Sequence, residues 1–261
     1  MPLHPPSSVE STSVLAVDSL GMTYPTKPVL ESVSFEVAPA EIVCLVGPSG
    51  VGKTTLLRCL SGLQVATTGS VRTDGTTIAG TPRHMSVVFQ DYSRSLLPWM
   101  RVGPNVALPL QAAGVGKAER LARADKALAE MGLEGTSGQY PWQLSGGMQQ
   151  RVAIARALVD NPRVLLMDEP FASVDAQTRF ELEDLTLRIR GETGVAIVLV
   201  THDIDEAVYL GDRVLVLSGK PATVARTIGI DLEQPRDQLV TRAGRRFGEL
   251  RSDVLREIQR G

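Results

Sequence analysis

Glu41-Ile42-Val43-Cys44-Leu45-Val46 runs directly into Gly47-Pro48-Ser49-Gly50-Val51-Gly52-Lys53-Thr54-Thr55. An apolar strand, a glycine-rich turn and a helix in immediate succession leave few folds open. The turn fits GxxxxGK[ST], and it lies between strand and helix as that pattern requires. Gly47, Gly50 and Gly52 let the backbone wrap tightly, so that its N–H groups converge on phosphate oxygens. The helix expected over Thr54–Gly62 adds the partial positive charge of its N-terminus. Lys53 reaches β- and γ-phosphates as a point charge, and Thr54 offers its hydroxyl to Mg²⁺. An ordinary glycine-rich turn would not need the whole pattern. Alone, the loop indicates a nucleoside triphosphate and does not separate a kinase, a GTPase and a mechanical ATPase.

A second feature supplies carboxylates. Val164-Leu165-Leu166-Met167 leads straight into Asp168-Glu169-Pro170. A buried strand delivers Asp168 to the C-terminal edge of a sheet, where open α/β sheets bind ligands. Asp168 is placed to hold Mg²⁺ through its water shell. Glu169 points elsewhere and can polarise an attacking water. Thr201-His202-Asp203 follows the apolar run Val195–Val200 in the same way, which aims His202 at the γ-phosphate. His4 and His84 have no such context.

Apolar strands at Val164–Met167, Val195–Val200 and Val214–Leu217, with a helix over Gln177–Arg190, describe an α/β parallel sheet. Val14–Val17 and Val33–Val37 read as strands with turn signals at Pro25 and Pro28 between them. Ser70–Ile78 reads as an antiparallel pair turning at Asp74-Gly75, and Ser86–Gln90 as a short strand. From Gln90 to about Asp160 the pattern is helical, with Leu121, Ala124, Leu128 and Met131 on one face and Gly132 and Gly135 ending that helix. The expected organisation is a disordered lead-in over 1–13, a nucleotide-binding domain over 14–220 with a helical subdomain near 91–160, and a tail over 221–261. Phe247, Leu250, Val254 and Ile258 share one face of an amphipathic helix in that tail.

The chain of 261 residues has 27 basic and 29 acidic side chains, a net charge of -2, which disfavours nucleic acid as a partner. Its charged share, 21%, is slightly low, hinting at surface covered by another protein. No apolar run approaches the roughly 20 residues of a membrane helix. Residues 1–13 lack the apolar region of a secretory signal, so cytoplasm is the expected compartment. Cys44 and Cys59 form no CxxC unit and read as buried free thiols.

Leu144-Ser145-Gly146-Gly147-Met148-Gln149-Gln150-Arg151 narrows the class. Ser-Gly-Gly ahead of a helix, expected over Gln149–Val159, is a second anion-binding helix start. One chain needs only one γ-phosphate cradle, so the second serves a nucleotide held by another copy, reciprocally in a two-fold dimer.

These motifs, in this order, resemble the ATP-binding subunits of ABC transporters from Val14 to Leu217. The resemblance implies a P-loop (RecA-like) mixed α/β sheet with an antiparallel β part and a helical insert. It also implies a head-to-tail homodimer with two ATP molecules sandwiched between chains. Gly47–Thr55 then match the Walker A loop, and Gln90 the glutamine that touches Mg²⁺. Ser145, Gly146 and Gly147 match the signature that caps the partner's γ-phosphate. Asp168 and Glu169 match the Walker B aspartate and catalytic base, His202 the switch histidine, and Tyr24 the aromatic that stacks on adenine. The chain departs from the family at Ser173-Val174-Asp175, where Ala- or Gly-Leu-Asp is usual in the dimer-crossing loop. Asp175 is kept.

Leu96-Leu97-Pro98-Trp99-Met100, Asn105-Val106-Ala107-Leu108-Pro109-Leu110 and Gln234-Pro235-Arg236-Asp237 resemble the nitrate, sulfonate and taurine importer branch. The implied partners are integral membrane permease subunits and, indirectly, a solute-binding protein. The implied place is the cytoplasmic face of the inner membrane. Leu96–Trp99 is read as a permease-docking segment, against the alternative of a turn buried within the helical insert. Two other functions compete: an ABC-type ATPase acting without a permease, and a P-loop small-molecule kinase. The kinase leaves Leu144–Arg151 unexplained, and the ATPase without a permease leaves Leu96–Trp99 unexplained.

Overall fold

The computed structural model describes residues 13–90 and 95–260. The expected lead-in therefore lies almost wholly outside the described residues, as does the stretch 91–94 after Gln90. In chain order the strands are β1 (Leu15–Tyr24), β2 (Lys27–Val37), β3 (Ile42–Val46), β4 (Thr68–Thr73), β5 (Thr76–Thr77), β6 (Met85–Val88), β7 (Val164–Asp168), β8 (Ala196–Val200), β9 (Arg213–Ser218) and β10 (Thr223–Gly229). The helices are α1 (Lys53–Leu60), α2 (Val102–Val106), α3 (Leu108–Ala112), α4 (Lys117–Glu130), α5 (Gly146–Leu158), α6 (Ala176–Thr193), α7 (Ile204–Leu210), α8 (Val240–Ala243) and α9 (Arg245–Arg260).

β3, β7 and β8 are apolar at nearly every position because both of their faces are covered. They form the centre of a six-stranded sheet in the order β10-β9-β3-β8-β7-β6. All neighbours in it run parallel except β10, which pairs antiparallel with β9. Alternate residues of each central strand enter different cores. Ile42, Cys44, Val46, Leu165 and Met167 pack with the helices of the insert, with α6, α7 and α9. Val43, Leu45, Val164 and Leu166 pack with α1 and a second, antiparallel sheet of order β2-β1-β4-β5. Both cysteines are buried free thiols, as expected.

The expected antiparallel pair turns at Asp74-Gly75, both at positive φ (50° and 76°), the twist that a two-residue hairpin prefers. Three local expectations need correction. Pro28 is no turn residue: it pairs with Thr23 inside the β1–β2 ladder, and the turn is Pro25-Thr26 alone. An edge strand tolerates proline, and β2 is an edge. Helix α5 starts at Gly146 rather than Gln149, because the Ser145 hydroxyl accepts from Met148 N and caps it there. From residue 95 to 160 the helical stretch is not continuous: Ala107 alone separates α2 from α3, residues 113–116 separate α3 from α4, and residues 131–145 separate α4 from α5.

The stretch after residue 220 holds a strand that periodicity did not reveal. β10 is an outer strand whose residues are half-buried or exposed, with a bulge between Val224 and Arg226. Beyond it, Phe247, Leu250 and Val254 of α9 are buried, and Ile258 packs partly against them, in the same core as α7.

Candidate functional site

The C-terminal ends of β3, β8, β7 and β6 stand side by side, and each delivers one expected site residue or loop to that edge. Gly47–Gly52 join β3 to α1. Gly47 has φ 154°, and a Cβ there would lie 2.4 Å from the carbonyl oxygen of Leu217 on β9, so only glycine allows this approach. Gly52, at φ 118°, directly precedes the first residue of α1. Pro48, Ser49, Gly50 and Thr54 are exposed, and Thr55 is half-buried. Lys53 is buried, its Nζ donating to the carbonyls of Gly47 (2.8 Å) and Pro48 (3.2 Å). Burial lowers the Lys53 pKa, while the nearby carboxylates of Glu169 and Asp168 act in the opposite sense. The ammonium thus sits partly desolvated within the loop, which strengthens any contact it makes with an anion.

Asp168 ends β7. Its Oδ1 is 3.5 Å from Thr54 Oγ1, so the hydroxyl at the head of α1 and the carboxylate at the end of β7 meet. Burial raises the Asp168 pKa; the Thr54 hydroxyl and the charges of Arg58 and Lys53 work against that rise. Glu169, the next residue, turns away through a left-handed backbone, φ 44°. Its Oε2 accepts from Gln90 Nε2 (2.9 Å) and lies 3.2 Å from Nδ1 of His202. Gln90 follows β6 and His202 follows β8, the strands flanking β7. One carboxylate oxygen is therefore held from both sides, and Oε1 has no hydrogen-bond donor among the described residues.

Tyr24 lies further out, at the exposed end of β1, with its hydroxyl on Gln64 Oε1 (3.0 Å). The following strand reaches the loop: side chains of Val29 and Leu30 lie 3.0 Å from where a Cβ of Gly52 would be.

Ser145, Gly146 and Gly147 are not part of this cluster. No hydrogen bond among the described residues joins them to Gly47–Thr55. Gly147 sits instead against the first turn of α6: a Cβ there would be 2.5 Å from Thr178 Cγ2. Thr178 in turn donates to both carboxylate oxygens of Asp175, the residue that caps α6. The altered loop Ser173-Val174-Asp175 therefore keeps its capping aspartate in the usual helix-start role.

In the Leu96–Met100 segment, Leu96 is buried but Trp99 is 72% exposed. The alternative of a tryptophan buried inside the insert is thereby excluded. The brace of this loop is Asn105, which sequence reading grouped with its neighbours without giving it a role. It is fully buried; its Oδ1 accepts from Leu97 N, and its Nδ2 donates to the carbonyls of Leu97, Met100 and Arg101. A polar residue amid Val102, Val106 and Leu110 was the available signal. Also unforeseen is Arg179, whose Nη1 binds Asp203 Oδ2 at 3.1 Å and ties α6 to the segment behind His202.

Residues 30–172 match the ABC transporter family. The aliphatic sulfonates import ATP-binding protein SsuB 1 of Xanthomonas axonopodis pv. citri is 46% identical over 246 residues, 94% of this chain and 96% of that protein. The taurine import ATP-binding protein TauB of Chromobacterium violaceum is 43% identical, with 83% of each chain covered. Among solved structures, the dimeric ATP-binding cassette MJ0796, in a post-hydrolysis state with ADP and Pi, superposes with a TM-score of 0.72 at 32% identity, covering 83% of this chain and 98% of that one. A phosphate loop and a paired acidic strand end on one sheet edge, with a signature helix start packed apart from them against α6, agree with these likenesses: the chain belongs to the ATP-binding subunits of the ABC transporter family.

Proposed function

We propose that this ATPase energises a bacterial importer for sulfonates, taurine or a related small solute, with two copies closing over two ATP molecules. The observation that carries the catalytic part is Glu169, held by Gln90 and His202 from the two neighbouring strands beside the phosphate loop. In this reading Gly47–Thr55 wrap the phosphates, with Lys53 on the β- and γ-phosphates. Tyr24 stacks on adenine. Glu169 takes the proton of the attacking water through Oε1, and His202 meets the γ-phosphate from the side.

Gly147 packs against the first turn of α6 in its own chain, and Ser145 and Gly146 beside it have no hydrogen bond to their own phosphate loop among the described residues, which supports the use of all three on a partner's nucleotide. The donors present fit Mg²⁺. It keeps most of its waters and takes one or two protein oxygens, and Thr54 and Asp168 supply a hydroxyl and a carboxylate that meet at 3.5 Å. Gln90, which the family resemblance makes a further oxygen donor, stands on the neighbouring carboxylate of Glu169. When bound, the ion would be held by Thr54 and Asp168 and would offset the negative charge of the phosphates.

The solute class rests on the sulfonate and taurine proteins that this chain resembles. The partner is a permease, and the place is the cytoplasmic face of the membrane; no helix among the described residues is long and apolar enough to cross one. The docking surface centres on Trp99. Arg101 Nη1 donates to the Gly138 carbonyl, bringing the Trp99 loop against the loop that carries Tyr140 and the exposed Trp142, whose rings stack at 5.8 Å. Exposed tryptophans are typical interface anchors.

Expression of the chain with its permease tests this. Trp99→Ala should keep ATP binding and melting temperature, yet lose co-purification and transport. Unchanged co-purification would refute the docking surface, and a large drop in melting temperature would assign Trp99 to folding instead.

A further inference from the structure

His202 has little of its own to hold it in place. Its side chain is 60% exposed, and its recorded partner is Glu169. Its position is inherited from the backbone between Val200, the last residue of β8, and α7, which starts two residues after His202. What fixes α7 therefore fixes His202.

Three grips hold that helix. At its start Asp203 Oδ1 accepts from the N–H groups of Asp205 and Glu206, while Oδ2 takes Arg179. On its outer side Asp205 pairs with Arg251 of α9. At its end the side chain of Arg236, only 1% exposed, donates to the carbonyls of Tyr209 and Gly211. A guanidinium on the last carbonyls satisfies acceptors that a helix leaves open and matches its dipole.

Arg242 completes the third grip from a distance. Its guanidinium carbon lies 4.8 Å from the Tyr209 ring and 4.9 Å from that of Phe180. Its Nη2 donates at 2.6 Å to Glu183 of α6, a side chain that is 1% exposed. Gln238 links the same groups, donating to Glu183, Asp184 and the Phe180 carbonyl while its oxygen accepts from Arg242. Tyr209 is itself fully buried, with its hydroxyl on Asp184.

We propose that Arg236, Gln238 and Arg242 are positioning residues for hydrolysis: through Tyr209 they set the pose of α7 and, at its far end, of His202. α7 has seven residues, roughly 10 Å at 1.5 Å per residue, too short to bend between the grips at its two ends. Close-packed interiors pass such a displacement on rather than absorb it. The polar network that joins the two helices is also incompletely satisfied. Arg179 Nε, Glu183 Oε1 and Glu206 Oε1 are buried without a hydrogen-bond partner, a sign that its arrangement serves more than stability. A ligand or partner that lifts the tail would slow ATP turnover without touching the nucleotide.

The inference rests on the reading of His202 given above, and the test separates the two. Arg242→Ala, and the milder Gln238→Ala in case the first variant folds poorly, should lower kcat roughly tenfold while KM for ATP stays within about twofold, since misplacement of a catalytic group acts on the rate. In a His202→Ala background the same changes should add less than about twofold. The chain has three histidines, so the imidazole proton signal of His202 is identified by its loss in His202→Ala. Arg242→Ala should shift it and leave that of His84 in place. An equal loss of rate with and without His202, or an unmoved His202 signal, overturns the proposal while sparing the role of His202. Full activity in His202→Ala overturns both.

Discussion

Glu169 adopts a backbone angle that side-chain-bearing residues avoid, φ 44°, with its N–H on the Val200 carbonyl. Such strain persists where surrounding contacts impose it, and it often marks working residues. Here it swings Glu169 out of line with Asp168 and onto Gln90 and His202. Glu169→Gln should keep ATP binding and reduce hydrolysis by about 10²–10⁴, the usual contribution of a positioned base; single-turnover phosphate release at saturating ATP checks this, and wild-type turnover would remove Glu169 from that role. Lys53→Ala should weaken ATP by about ten- to a hundredfold in Kd, since charge-assisted hydrogen bonds contribute ~1.5–3 kcal/mol; fluorescence titration with a nucleotide analogue measures it, and an unchanged Kd would contradict the assignment of the loop. At this scale the sequence is informative because the phosphate loop, Gln90, Glu169 and His202 each come at or just after the end of an apolar strand. The strand register carries Gln90, Glu169 and His202 to one edge without tertiary guesswork. Asn105, Arg179 and Arg242 escaped notice for the opposite reason: their partners are 4 to 59 positions away in the chain, and no spacing rule connects them.

Between helices the deciding contacts are buried and charged. Glu206 of α7 is 4% exposed, and burial, reinforced by the charges of Glu183 and Asp203, pushes its carboxyl well above the usual range. The folded protein then keeps a proton that the unfolded chain releases, so stability falls as pH climbs from the ordinary glutamate value through the raised one. Glu206→Gln removes this dependence. The melting temperature of the variant relative to wild type should therefore rise between about pH 5 and about pH 8, as followed by circular dichroism. A constant difference would mean that Glu206 is ionised in the fold. Elements were legible where burial is one- or two-sided in a regular way: the central strands, α1, α4 and α6. β10 was not, because an outer strand with a bulge mixes polar and apolar residues that are all exposed or half-buried, TVARTIG, and shows no regular alternation. The start of α5 was also shifted, because glycines score poorly as helix formers although Ser145 caps them.

At the scale of the whole molecule, the proposed function makes the phosphate loop and the Ser145–Gly147 segment halves of two different sites. One lies at the edge of β3, the other on the first turn of α6 through Gly147 and Thr178. In that proposal a single chain binds ATP but leaves its signature without a nucleotide. Two chains related by a two-fold axis would use both, twice, and would bring the Ser173–Asp175 loop to the junction. The most direct measurement is therefore the mass of Glu169→Gln in saturating ATP by light scattering, beside Glu169→Gln combined with Ser145→Arg. The account expects twice the chain mass for the first, and the monomer mass with ATP still bound for the second. A first variant that stays monomeric while holding ATP, or a second that dimerises equally well, would contradict it.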